Sequence, residues 1–177
     1  MPIIITIIGL LAAASVWMYR IRAAKDSANE MLEMANDVRL AAKRFAYKRN
    51  RKTHPIDGID DARLAAAGIM AIAAEMDGAI TANEQRVMKE QAVGVFGCSD
   101  ADADEFIIFG RWMASQGTNR NETLRRLIKR VIELGGTDTM PDLINMVTAV
   151  GTADGDLVDE GLTDMIDRLK IAQAKGR

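Results

Sequence analysis

A chain of 177 residues has room for one domain and an extension, and its single cysteine, Cys98, excludes an internal disulfide and fits a reducing compartment. The net charge of −2 hides an asymmetry: residues 20–52 carry ten basic and four acidic side chains (+6), and residues 53–177 carry thirteen basic and twenty-one acidic (−8). That split points to a membrane-proximal or anion-binding stem ahead of an acidic domain. Strand signals are nearly absent after the first twenty residues, so the expected class is all-α.

In chain order, residues 2–19 form an uncharged apolar run of eighteen, at the short end of what spans a bilayer. Trp17 and Tyr19 sit where an interfacial aromatic belt would lie. Ala12, Ala13 and Ala14 would suit a signal-peptide cleavage site, but no basic region precedes the run, which favours a retained anchor over residues 1–19. Positive charge follows the span at once, so the expected topology places the N-terminus outside and the C-terminal bulk in the cytoplasm.

Residues 20–52 read as a basic helical stalk. Ile21, Ala24, Ala28, Met31, Ala35, Val38, Ala42 and Phe45 alternate spacings of three and four, with no Gly or Pro between them. This seam suits either packing on the chain's own domain or docking on a partner helix or a second copy. Its small residues contribute little burial each, so self-association through it should be weak. Gly9, Ala12, Ala13, Trp17, Tyr19, Ala24, Ala28, Met31 and Ala35 are therefore the candidate membrane and partner contacts. Lys43, Arg44, Lys48, Arg49, Arg51 and Lys52 form the most basic stretch, with Phe45 and Tyr47 between them. Behind a span, that stretch suits anionic lipid or an acidic partner, or a solvated helix end, better than nucleic acid. Residues 53–58 read as a linker broken by Pro55 and Gly58 and holding the only histidine, His54, and a folded domain is expected over residues 59–177.

Within the domain, residues 64–74 are apolar on every side apart from Gly68, which predicts a buried helix. Glu75-Met76-Asp77-Gly78-Ala79-Ile80 then predicts a reversal in which Gly78 takes a positive φ. Thr81 and Glu84 read as a capping box, followed by a helix with Val87, Met88, Gln91, Ala92 and Val95 on one stripe, ending at Gly97. Ser99 and the acids after it suit the start of a helix with a core face of Phe106, Phe109, Trp112 and Met113. Asn121 is the expected cap of the next, whose Leu124, Leu127, Ile128, Val131 and Leu134 face inward. Its other face carries Arg125, Arg126, Lys129 and Arg130, read as solvated or as a docking patch. Residues 143–153 are again apolar, Thr152-Ala153-Asp154-Gly155-Asp156-Leu157 repeats the turn, and Leu162, Met165, Ile166, Leu169 and Ala172 line the last helix. Two helix–Asp-Gly-turn–helix units thus form an internal repeat.

Acidic turns raise the question of a metal. Residues 77–84 match the back half of a calcium-binding EF-hand loop, but the first ligand position falls on Ala73, inside a helix. The second turn places Gly161 at the closing position, with Glu160 one residue early. A full calcium site is not expected. The carboxylates Asp77, Glu84, Asp154 and Asp156 leave room for a weak, partly hydrated divalent cation, and otherwise serve as caps and turn acceptors. No His-containing triad, glycine-rich phosphate loop or Cys/His cluster is present, so no enzyme and no other cofactor are expected.

The apolar helix, the Met76-Asp77-Gly78-Ala79-Ile80 turn with Glu84, and the second Ala153-Asp154-Gly155-Asp156-Leu157 turn resemble the TerB-like (tellurite-resistance) domain over roughly residues 59–174. The resemblance implies a compact all-helical bacterial domain with an internal two-fold repeat and suspected metal ligands at Asp77, Glu84 and Asp154. Gly161 stands where a second Glu is expected. A span ahead of such a domain is similar to the N-terminal half of DjlA-type membrane-anchored co-chaperones. His54-Pro55-Ile56 lacks their His-Pro-Asp, and no J domain is expected after Arg177, so co-chaperone activity is not carried over. The expected function is a non-enzymatic interaction module at the bacterial inner membrane. It would serve either as an accessory subunit docked on a respiratory or transport complex, or as a stress-response scaffold sensing metal or metalloid ions. A hydrolase or other enzyme that uses the acidic turns with a bound metal is a third reading.

Overall fold

Eleven consecutive residues, 64–74, are all buried, and the rest of the bundle is arranged around them. The computed structural model describes residues 54–155 and 160–176. Within these the chain is all-helical, with six α-helices: α1 (Ala62–Ala74), α2 (Ala82–Phe96), α3 (Asp100–Ala114), α4 (Arg120–Gly135), α5 (Met140–Gly151) and α6 (Glu160–Lys175). Helix α1 packs on α2, α3, α4 and α5, so an apolar residue at any point of its circumference meets another helix. Each Leu, Ile or Met it buries contributes about 1.5–3 kcal/mol.

Small side chains on α1 bring its neighbours close. A Cβ on Gly110 of α3 would lie 2.5 Å from the carbonyl oxygen of Ala67, so α3 crosses α1 almost backbone to backbone. On α1 itself, Gly68 leaves room for Leu127 of α4: a Cβ there would sit 3.1 Å from Leu127 Cδ1. Phe106, Phe109, Met113, Leu127 and Val131 fill the space around these crossings.

The helix ends follow from local chemistry. Asp61 caps α1 by accepting from the Arg63 amide. Thr81 and Glu84 form the expected capping box on α2, which ends at Gly97 in the left-handed region. Ser99 caps α3 through the Asp102 amide, as expected. The cap of α4 is Asn119, which accepts from Asn121 and Glu122, so the N-terminus lies two residues earlier than the expected Asn121. Pro141, in the first turn of α5, has no amide to leave unsatisfied there.

Three further expectations are corrected. Gly78 does not take a positive φ, which is confined to Gly97, Gly136 and Gly155 among the described residues; the first turn closes through the Thr81–Glu84 box instead. Val95 and Leu134, in the last turns of their helices, are 44% and 39% exposed, although Phe96 beside Val95 packs on Phe106 of α3. Of the other expected core positions, Met88, Ala92, Phe106, Phe109, Met113, Leu124, Leu127, Ile128, Val131, Leu162, Met165 and Leu169 are buried, while Val87, Gln91, Trp112, Ile166 and Ala172 are half-buried.

Residues 54–59 are attached to the bundle. Pro55–Gly58 is a 3-10 turn with Ile56 buried, Ile59 is buried too, and His54 Nδ1 accepts from the Ile56 amide at 3.3 Å. Among the described residues no helix is long and apolar enough to cross a membrane. The expected span and stalk lie outside them. So do Gly9, Ala12, Ala13, Trp17, Tyr19, Ala24, Ala28, Met31, Ala35, Lys43, Arg44, Lys48, Arg49, Arg51, Lys52 and the turn residue Asp156.

Candidate functional site

The two acidic turns, some seventy residues apart in sequence, meet in space because α2 packs on α5. Asn83, in the first turn of α2, makes the connection. Its Nδ2 donates to the carbonyl oxygen of Ala153 and to Asp154 Oδ1, the latter at 3.0 Å. Its Oδ1 accepts from Arg86 Nη2 at 2.7 Å, and Arg86 continues to Glu90. Sequence reading places Asn83 only inside a capping box; a side-chain amide facing out of a first helical turn is the one signal that it has a further partner.

Glu84 is committed to the cap of its own helix. It is buried, and its Oε2 accepts from the Thr81 amide at 2.8 Å while the Glu84 amide donates to Thr81 Oγ1 at 3.1 Å. Arg120, at the start of α4, ties that helix to the first turn: its Nη2 donates to the Glu75 carbonyl oxygen at 2.8 Å, placing a cation at the C-terminal end of α1. Asp77 and Asp154 are exposed on their turns. Among the described residues no group of three or more His, Cys, Asp or Glu is placed to hold a metal ion. A hard cation takes six to eight oxygen ligands. Of the expected set, Glu84 faces its own helix cap and Asp154 accepts from Asn83.

The basic face of α4 is largely neutralised where it stands. Arg126 contacts Glu122 at 2.9 Å and Asp57 at 3.2 Å. Arg130 contacts Glu133 at 2.8 Å and donates to the carbonyl oxygen of Ile59, and Lys129 reaches Glu133 at 3.5 Å. Hydrogen bonds from Arg126 and Arg130 hold the Glu122 and Glu133 carboxyls below their usual pKa. Two of these arginines therefore clasp the 54–59 segment to α4, a role that local pattern does not reveal. Arg125 and Lys129, with side chains 72% and 71% exposed, stand well out, Arg125 at 3.9 Å from Glu122. On the opposite helix pair, Lys89 ties α2 to Asp104 of α3 at 2.8 Å.

Cys98 is a partly buried filler. Its Sγ donates to the Ala92 carbonyl at 3.4 Å, and burial pushes its pKa up, which keeps it a thiol rather than a nucleophilic thiolate.

The chain matches no protein-family model, and no curated protein or solved structure gives a significant match.

Proposed function

We propose that the chain is a non-enzymatic interaction module, held at a bacterial inner membrane by residues 1–19, with a TerB-like domain on the cytoplasmic side that docks on a larger membrane complex. The observation that carries this reading is the use made of the acidic turns. Asn83 bridges to Ala153 and Asp154, Glu84 caps α2, and Arg120 holds Glu75, so these polar groups serve as joints of a rigid bundle. A rigid, closed bundle on a basic stem works through its surface. The internal two-fold repeat fits the same picture, since the two Asp-Gly turns are what the joint connects.

The second reading, a metal- or metalloid-responsive scaffold, draws on the exposure of Asp77 and Asp154 at adjoining turns. The full chain expressed in its native membrane separates the anchored module from the alternatives. It should resist carbonate extraction and, in mild detergent, migrate with a larger assembly of inner-membrane proteins. Release by carbonate, or a periplasmic form beginning after Ala14, would overturn the reading.

A further inference from the structure

A groove of about 490 Å³ runs between α4 and α6. Leu124 and Ile128 form its floor and Ala172 its wall, and beside them Ile171 is 54% exposed, a large apolar side chain that the bundle does not use. Arg125, Arg168 and Lys175 stand on its rim with Glu122 the only acid among the lining residues. These cations gather on a domain whose residues 53–177 carry a net −8.

We propose that this groove receives an amphipathic helix of a partner protein, with an apolar row on one face and carboxylates flanking it. The proposal rests on the interaction-module reading and names the chemistry of its partner. The apolar floor asks for side chains spaced three, four and seven apart, the pattern by which a helix lies in a groove. Arg168 and Lys175 are seven residues apart, about 10 Å along α6, so they reach carboxylates two turns apart on the incoming helix. Arginine suits that task because its planar fork meets a carboxylate through two hydrogen bonds. Arg168 is positioned by Asp164 at 2.7 Å, and the 3.9 Å Arg125–Glu122 contact is long enough to be exchanged for a partner's carboxylate. A continuous polyanion suits the site less well, since Glu122 lies on the rim. A flat headgroup layer would not fill a concave apolar floor.

The test uses the full chain in neutral-lipid nanodiscs and a fluorescein-labelled synthetic helical peptide with leucines at the three-four-seven spacing and glutamates on both flanks. A second peptide carries lysines in place of the glutamates. Fluorescence anisotropy should show the glutamate peptide binding at least about tenfold more tightly than the lysine peptide, with the preference shrinking as salt rises. Ile171→Asp, at an exposed position, should weaken binding by about tenfold. Charge reversal of the rim (Arg125→Glu, Arg168→Glu and Lys175→Glu together) should invert the preference between the two peptides, an outcome that misfolding cannot produce.

Equal binding of both peptides, no binding, or a preference untouched by the reversed rim would overturn the proposal. So would loss of binding in nanodiscs of anionic lipid, which would assign the groove to a membrane surface. A doubled mass abolished by Ile171→Asp would likewise overturn it by assigning the groove to a second copy. Failure here leaves carbonate resistance and co-migration untouched, and failure of those leaves the peptide preference untouched.

Discussion

Helices α1 and α5 each lead into an Asp-Gly turn and then another helix, yet they carry different loads. Every residue of α1 from Leu64 to Ala74 is buried, whereas α5 buries Met140, Leu143, Met146, Val147 and Val150 and leaves Pro141, Asp142 and Asn145 exposed. The first is the axle of the bundle and the second a clamp against it. Their turns differ in the same sense. The one after α1 is held by the Thr81–Glu84 box at the start of α2 and by Arg120 of α4, with no positive φ at Gly78. The one after α5 reverses through Gly155 at φ 82° and is held by Asn83. Similar short motifs are thus closed by different means, according to what surrounds them.

Two glycine substitutions put that difference to its hardest test. A Cβ at Gly110 would meet the Ala67 backbone at 2.5 Å, which cannot yield without moving α3 off α1. Gly110→Ala should cost about 3 kcal/mol and lower the melting temperature by roughly 10 °C, followed by circular dichroism. A Cβ at Gly151 would meet the end of the Leu162 side chain at 2.6 Å, and that side chain can rotate away. Gly151→Ala should cost only about 1 kcal/mol. Equal losses from the two substitutions would abolish the distinction between axle and clamp.

The joint between the two units is the next point to break. Asn83→Ala removes the donor to Ala153 and Asp154, with an expected loss of about 1–2 kcal/mol. Thr81→Ala, which removes half of a capping box within one unit, should cost about 1 kcal/mol. If the joint is real, the Asn83 and Asp154 substitutions are coupled in a double-mutant cycle and the Thr81 and Asp154 substitutions are not.

The parts of this fold that local pattern reveals are those that local chemistry decides. The all-round burial of α1 follows from a run with no polar face, and the capping box and the Ser99 cap follow from residue types three apart. A stripe gives the face of a helix only approximately: Val95 is exposed while Phe96, one residue on, packs against Phe106. Nor does a glycine's presence fix its φ: Gly78 and Gly155 stand in matching motifs and differ. The connections that make the candidate site, Asn83 to Asp154 and Arg120 to Glu75, span 71 and 45 residues and leave no periodic trace. The clasp of Arg126 and Arg130 on the 54–59 segment, hidden behind a plain basic helix face, belongs to the same group.

In the paired acidic turns the Glu84 carboxylate serves a helix end and that of Asp154 a side-chain amide, so calcium has little to add. Thermal melting of the full chain with and without calcium tests it directly. Glu84 is committed to its cap and Asp154 to Asn83, so micromolar to millimolar calcium should move the midpoint by less than about 1 °C. A rise of several degrees at micromolar calcium, abolished by Asp77→Asn, would contradict the account and make the turns an ion site.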